Sequence, residues 1–112
     1  MGWANYAIKE LQLGKIARIR PRGHSMKGKV DDGDEVVLEA IAPADIRVGD
    51  IVLVRVKGNV FLHLVKAVDP HRVLIGNNRG KINGWASKNA VFGVAVEVAG
   101  RRLAKDQPQP AS

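Results

Sequence analysis

Residues 23–56 read GHSMKGKVDDGDEVVLEAIAPADIRVGDIVLVRV, and this stretch decides the fold. It contains two Gly-Asp pairs, Gly33-Asp34 and Gly49-Asp50, and each pair precedes a run rich in Val and Ile. Glycine permits a corner with positive φ, and aspartate can accept hydrogen bonds from nearby backbone amides. Because β-branched residues favour strands, we predict strands at 35–41 and 51–56 and interpret both aspartates as structural.

Runs of the same kind continue towards the C-terminus. They occupy residues 60–68, 72–75 and 91–98, with turn residues between them. Lys57-Gly58-Asn59 separates the run at 51–56 from the next one and is a hairpin signal. Many short strands with no long helical pattern between them predict a mainly β, barrel-like sheet.

The segment ahead of residue 23 has weaker patterns. Residues 5–13 could form one short helix that ends at Gly14, since glycine commonly follows the last residue of a helix. Residues 15–20 alternate like a weak strand that stops at Pro21. We therefore predict at most one or two short helices in the whole chain.

The composition is that of one globular domain. The chain has 112 residues, of which 46% are hydrophobic and 26% charged. It has no cysteine, which excludes disulfides and thiolate metal ligands, and its three histidines lack metal-ligand spacing. We expect no metal and no cofactor. No apolar run approaches the length of a membrane helix and no secretory signal is visible, so we expect a cytoplasmic protein without membrane contact.

The net charge of +7 is concentrated at the two ends of the chain. Residues 1–29 hold seven Lys or Arg against one acidic residue, whereas residues 30–98 hold eight against nine. Such an asymmetry can mark a nucleic-acid contact, but a solubilising flank is the commoner cause. Aromatic residues make up only 4%, which disfavours base stacking. Nucleic acid is therefore a possible partner but not the favoured one.

Ser25 is the candidate nucleophile. It lies in the irregular, glycine-rich segment Pro21–Gly33, where a serine can be exposed and backbone amides can hold an oxyanion. A serine hydroxyl becomes a nucleophile only beside a general base, so the chemistry depends on what the fold brings next to it.

The order of the motifs resembles the LexA and signal-peptidase superfamily of serine peptidases. Gly23-His24-Ser25-Met26 matches its G-x-S-M block, and the two Gly-Asp pairs match its strand entries. Residues 61–65, 75–78 and 91–95 resemble its base-bearing strand, its G-D-N element and its closing strand. The resemblance covers about residues 19–98 and implies a bent antiparallel sheet closed like a barrel. Residues 1–18 would then be a basic flank, and residues 99–112 a basic, then Pro-rich and disordered tail.

The resemblance leaves two candidates for the base. One branch of the superfamily pairs its serine with a lysine and another with a histidine, and His63 falls at the matching position. A neutral imidazole suits this role near pH 7. Lys66 is the rival; three residues further along a regular strand, it would face the opposite side. A buried lysine with a lowered pKa could also act as a base. We favour His63.

Acidic residues that could orient the base are absent where the resemblance would place them. The histidine branch has acidic residues near its G-D-N element, whereas this chain has Asn77 there and Asn83 where a later aspartate would stand. The chain also has Gly28 where signal peptidases usually have proline. Without a carboxylate, a positively charged imidazole is less stabilised.

The resemblance implies a serine endopeptidase that cleaves a peptide or protein substrate with Ser25 and His63. Only 24 residues precede Ser25 and no membrane helix is evident, so we expect neither a LexA-type repressor nor a secretory signal peptidase. The alternative is a catalytically inactive, peptidase-like module that binds a protein or nucleic acid, because a fold does not guarantee its chemistry.

Overall fold

The computed structural model describes residues 3–103. One helix, α1 (Asn5–Gln12), precedes all the strands, and single 3-10 turns lie at Pro43–Asp45 and Lys88–Ala90. The strands are β1 (Ala17–Ile19), β2 (Val36–Glu39), β3 (Ile51–Val56), β4 (Asn59–Val68), β5 (Arg72–Gly76), β6 (Ile82–Ser87), β7 (Val91–Val98) and β8 (Arg101–Arg102). The prediction of a mainly β chain with at most one or two short helices is confirmed for these residues.

All eight strands belong to one antiparallel sheet, in the order β1-β2-β7-β3-β4-β5-β6, with β8 paired to β7. Within residues 3–103, no pairing joins the outer strands β1 and β6, so the sheet is not closed. The prediction of a barrel is therefore wrong. Sequence patterns identify which segments form strands. Closure of the sheet into a barrel also requires its two edge strands to pair, which those patterns do not show.

The sheet separates two apolar clusters. Residues of β3 alternate between them: Leu53 packs into the first cluster, with α1, and Val52 and Val54 pack into the second. Both faces of β3 are therefore buried, which explains why its sequence reads as a continuous apolar run. Within residues 3–103, no helix is long and apolar enough to cross a membrane.

Helix α1 covers the first cluster with one side. Ala7, Ile8 and Leu11 are buried there. A close approach to β7 makes this packing possible, since a Cβ on Gly93 would lie 2.9 Å from the Leu11 side chain and 2.8 Å from the Glu39 carbonyl oxygen. Only glycine fits at that point of β7.

Two β-bulges lie on either side of β5. Val65 pairs with Ile75 and Ala67 with Leu74, which leaves Lys66 as the extra residue of β4. On the other side, Gly84 pairs with Ile75 and Ile82 with Gly76, which leaves Asn83 as the extra residue of β6. A bulge redirects a side chain out of the regular alternation of a strand, so neither residue can be placed by counting along the sequence.

Carboxylates organise the long connection between β1 and β2. Asp32 accepts a hydrogen bond from the Gly23 amide at 2.8 Å, and Asp34 accepts one from the Asp31 amide at 2.9 Å. Asp50 accepts one from the Arg47 amide at 2.8 Å in the later connection. Gly33 and Gly49 have φ of +83° and +95°, as predicted for these corners. The aspartates of both Gly-Asp pairs therefore hold turns.

Candidate active site

Ser25 is exposed on the β1–β2 connection, and the β5–β6 loop fixes its position. The Asn78 amide donates to the Ser25 carbonyl oxygen at 3.0 Å. The Asn78 side chain donates to the Lys27 carbonyl oxygen at 2.8 Å. These two bonds join segments more than 50 residues apart and hold the serine in one place.

His63 lies beside Ser25 on β4. Its Nε2 is 3.2 Å from the Ser25 Oγ, so the hydroxyl can donate to the ring nitrogen. His63 is only 7% exposed, and its ring stacks on Phe61 with the ring centres 4.9 Å apart. The structure thus brings together the serine and the base that the sequence favoured, at the distance expected of a nucleophile and its general base.

Asn83 completes the arrangement. The Asn83 Oδ1 lies 2.7 Å from His63 Nδ1 and accepts its hydrogen. With the proton on Nδ1, Nε2 carries the lone pair that faces the serine hydroxyl. The bulge in β6 directs Asn83 towards this contact. The motif resemblance indicates that an acidic residue is missing at this position, but it predicts no role for Asn83 itself in the site.

The pKa of His63 is lowered from its ordinary value of 6.5. Burial is the largest cause, since it disfavours the charged ring, and the charge of Lys81 acts in the same direction. The hydrogen bond that His63 donates to Asn83 opposes them and raises the pKa, but less than burial lowers it. The imidazole is therefore neutral at pH 7, the form in which it can accept a proton.

Lys66 lies elsewhere on the sheet. Its Cε would be 3.1 Å from a Cβ on Gly76, so the half-buried side chain runs over the end of β5. Of the residues described, those lining the two hollows at Ser25 do not include Lys66. Among the hydrogen bonds of residues 3–103, none joins Lys66 to Ser25, whereas His63 contacts the serine directly.

Asn77 has a structural position. Its side chain is 8% exposed, and its Oδ1 accepts hydrogen bonds from the amides of Arg79 at 2.8 Å and Lys81 at 3.0 Å. These bonds shape the β5–β6 loop, from which the next residue, Asn78, holds the serine segment. Asn77 and Asn83 both stand where the resembled superfamily has acidic residues. Of the two, Asn83 is the one that contacts His63.

Two backbone amides at the serine, those of Ser25 and Met26, donate no hydrogen bond within residues 3–103. The amides of Lys27 and Lys29 bond to the carbonyl oxygens of His24 and Met26, and the Gly28 amide bonds to Asp31. Donors next to the nucleophile can stabilise the charge that develops on an attacked carbonyl oxygen.

A groove leads away from the serine. A hollow of about 520 Å³ is lined by Ser25 and His63 together with Trp3, Val60 and Phe61. The last three also line a neighbouring hollow of about 590 Å³, and we call the two hollows together the groove. Within residues 3–103, no group of three metal-ligating side chains forms a metal site. The arrangement suits nucleophilic attack on an extended ligand.

No protein-family model matches this sequence. None of the curated proteins is recognisably similar to it either. The assignment of the site therefore depends on the contacts of Ser25, His63 and Asn83 and on the order of the motifs.

Proposed function

We propose that this protein is a serine peptidase of the LexA and signal-peptidase type. Ser25 is the nucleophile, His63 the general base and Asn83 the residue that positions the base. The observation that carries the proposal is the continuous chain of contacts, 3.2 Å from Ser25 Oγ to His63 Nε2 and 2.7 Å from His63 Nδ1 to Asn83 Oδ1. The same logic underlies serine–histidine hydrolases on unrelated folds.

In the first step, His63 Nε2 takes the proton of Ser25 as Oγ bonds to the carbonyl carbon of the substrate. The carbonyl oxygen becomes an oxyanion, and we assign its stabilisation to the amides of Ser25 and Met26, which donate no hydrogen bond within residues 3–103. The tetrahedral intermediate then breaks its bond to the leaving nitrogen, and the protonated His63 gives its proton to that amine. Water repeats these steps on the acyl-enzyme, which releases the acid and restores Ser25.

Asn83 fixes the tautomer but adds no negative charge. Its amide oxygen holds the proton on Nδ1 and so keeps the basic nitrogen directed at Ser25. A carboxylate at this place would also stabilise the imidazolium that forms during attack. The proposal therefore describes a base that is correctly oriented and neutral at pH 7, but weaker than one supported by an aspartate.

The absence of a carboxylate also favours a second candidate function. Among the described residues, the hydrogen-bond partners of the His63 ring are Ser25 and Asn83, both uncharged. A peptidase-like domain with this site could bind a protein segment in its groove without cleaving it. This second function uses the same groove and differs only in that the peptide bond of the bound segment is not cleaved.

Incubation with a mixture of unstructured peptides, followed by mass spectrometry, tests the proposal. We expect cleavage by the wild-type protein, no cleavage by Ser25→Ala, and at least a hundredfold loss in His63→Gln, consistent with the roughly 10²–10⁴-fold that a general base supplies. The control Lys66→Ala should retain cleavage. Cleavage that persists in Ser25→Ala, or is lost in Lys66→Ala while His63→Gln remains active, would overturn the assignment. Binding without cleavage would support the second candidate.

A further inference from the structure

The charged side chains that line the groove all have the same sign. Arg20 and Arg22 border the hollow that contains Ser25, and Arg55 borders the neighbouring hollow. Of the residues described as lining these two hollows, none is aspartate or glutamate, whereas Asp31 lines the smaller hollow at Ser25. A cleft lined by one sign of charge concentrates ligands of the opposite sign.

The three arginines differ in their partners. Arg20 lies 3.7 Å from Glu35 and also donates to the Gly33 carbonyl oxygen, while the Arg55 guanidinium lies 5.4 Å from the centre of the Phe92 ring. Arg22 is exposed and forms no ion pair with any residue between 3 and 103. It is therefore the cation that is most available to a ligand.

Apolar side chains form much of the remaining lining of the groove, together with Asn5 and Asn59. Trp3 is 54% exposed although it borders both hollows, and Val60 and Phe61 form the floor they share. A large exposed aromatic side chain at a cleft is a common means of binding a bulky apolar group. The groove thus offers apolar contact along its length and positive charge near the serine.

Given the peptidase function proposed above, we propose that its substrates carry an acidic residue within a few positions of the cleaved bond, next to a large apolar residue. Arg22 would pair with the carboxylate, and Trp3 and Phe61 would contact the apolar side chain. An acidic peptide fits better than nucleic acid, because three arginines are few compared with the roughly 6–10 phosphate contacts of a nucleic-acid binding protein.

A matched set of peptides measures this preference. One readily cleaved peptide is made with Asp, Ala or Lys at each position in turn on both sides of the cleaved bond. At about 0.1 M salt we expect kcat/KM to be about three- to tenfold higher with Asp than with Lys at one position. This is the size of effect expected when an exposed cation attracts a carboxylate and repels an ammonium group. The preference should shrink at about 1 M salt, where such interactions are screened. Equal cleavage of all three versions at every position would overturn the proposal.

Two variants connect the preference to the groove. Arg22→Gln should reduce the Asp-to-Lys ratio to about twofold or less. Lys29→Gln removes a charge from the same connection, but Lys29 borders a different hollow, so it should keep the wild-type ratio. If both variants change the ratio equally, Arg22 is not the recognition residue and the proposal fails.

Binding to the inactive Ser25→Ala variant separates this inference from the catalytic one. Anisotropy of a labelled peptide should show tighter binding of the Asp version than of the Lys version, with the same dependence on Arg22. If that preference is present but the wild-type protein cleaves nothing, the peptidase proposal fails and the groove assignment stands. If single-stranded RNA competes with the acidic peptide at equal concentration, the ligand class proposed here is wrong.

Discussion

At the scale of single residues, burial keeps His63 neutral, although its hydrogen bond to Asn83 acts in the opposite direction. Burial beneath the serine segment lowers its pKa, and Asn83 accepts the Nδ1 proton without supplying charge. Because an amide cannot attract a proton as a carboxylate does, the desolvation of the ring dominates. The base is thus available at pH values where an ordinary histidine is partly charged.

Substitution of Asn83 tests its positioning role. Asn83→Ala frees the ring to rotate and change tautomer, so kcat/KM should fall by about 10- to 100-fold, part of the general-base contribution. Asn83→Asp should raise the pKa of His63, because a carboxylate favours the charged ring. The acidic limb of the pH–rate profile, which we expect below pH 6.5 in the wild type, should then move to higher pH. An unchanged profile in Asn83→Asp would show that residue 83 does not act on His63.

The lowered pKa of His63 also predicts how stability depends on pH. Between pH 7.5 and 5.5 the unfolded chain binds a proton at the histidine near pH 6.5, while the folded ring resists it. The free energy of unfolding should therefore decrease as pH falls through this range, and His63→Gln should flatten the dependence. Asp69, whose pKa is lowered from 3.8 chiefly by the His71 amide, affects stability only at more acidic pH. Urea unfolding at several pH values measures this dependence. If the free energy of unfolding changes with pH equally in the wild type and in His63→Gln, the assignment is contradicted.

Sequence patterns could identify Ser25 and His63 as candidates but could not complete the site. A motif and a matching strand position are sufficient to nominate two residues, whereas Asn83 depends on the bulge that turns it towards the ring. Lys66 shows the same difficulty, since it is the extra residue of a second bulge. Regular alternation predicts side-chain direction only where the strand is regular.

At the scale of structural elements, the site is the meeting of two loops with one strand. The β1–β2 connection carries the serine, β4 carries the base, and the β5–β6 loop holds the first against the second through Asn78. Connecting segments commonly carry functional residues on a rigid sheet, and here one connection stabilises the other. The precision of the Ser25–His63 distance therefore depends on residues that do not touch the substrate.

Removal of the Asn78 side chain tests this dependence. Asn78→Ala loses the bond to the Lys27 carbonyl oxygen, which should lower the free energy of unfolding by about 0.5–1.5 kcal/mol. A small displacement of the serine should lower kcat/KM by about tenfold or more, since catalysis is sensitive to misplacement of the order of 1 Å. The exposed Asn89 is a matched control, and Asn89→Ala should leave both quantities near wild type. If Asn78→Ala loses stability but no activity, the loop contact does not position the serine.

The strands themselves were predictable to different degrees. The runs at 51–56 and 91–98 are strands with the predicted bounds, because valine- and isoleucine-rich sequence is typical of strands that are largely buried on both faces. The edge strand Ile82–Ser87 was not predicted, since its sequence INGWAS contains few β-branched residues. Its pairing with β5 comes from the fold rather than from its own residues.

At the scale of the whole molecule, one sheet joins two apolar clusters. Leu53 belongs to the cluster beneath α1, and Ile75 belongs to the cluster on the other face. Both side chains are fully buried. Because β3 contributes to both clusters, loss of packing on one face should weaken the other face as well.

Two truncations test whether the clusters unfold together. Leu53→Ala and Ile75→Ala should each lower the free energy of unfolding by about 2–5 kcal/mol, the usual cost of removing a buried aliphatic side chain. Each variant should still show a single transition that coincides by far-UV circular dichroism and by the fluorescence of Trp3 and Trp85. Separate transitions for the two probes would show that the clusters are independent.

The central claim is that the fold activates Ser25 through His63, and covalent labelling with a fluorophosphonate tests it most directly. The account predicts one adduct on the wild-type protein near pH 8, located at Ser25 by peptide mass mapping, with the exposed Ser87 unmodified. The adduct should persist in Lys66→Ala, be absent at Ser25 in Ser25→Ala, and form at least a hundredfold more slowly in His63→Gln, as expected for the loss of a general base. No adduct on the folded wild-type protein, or labelling of Ser25 at the same rate in His63→Gln, would contradict it.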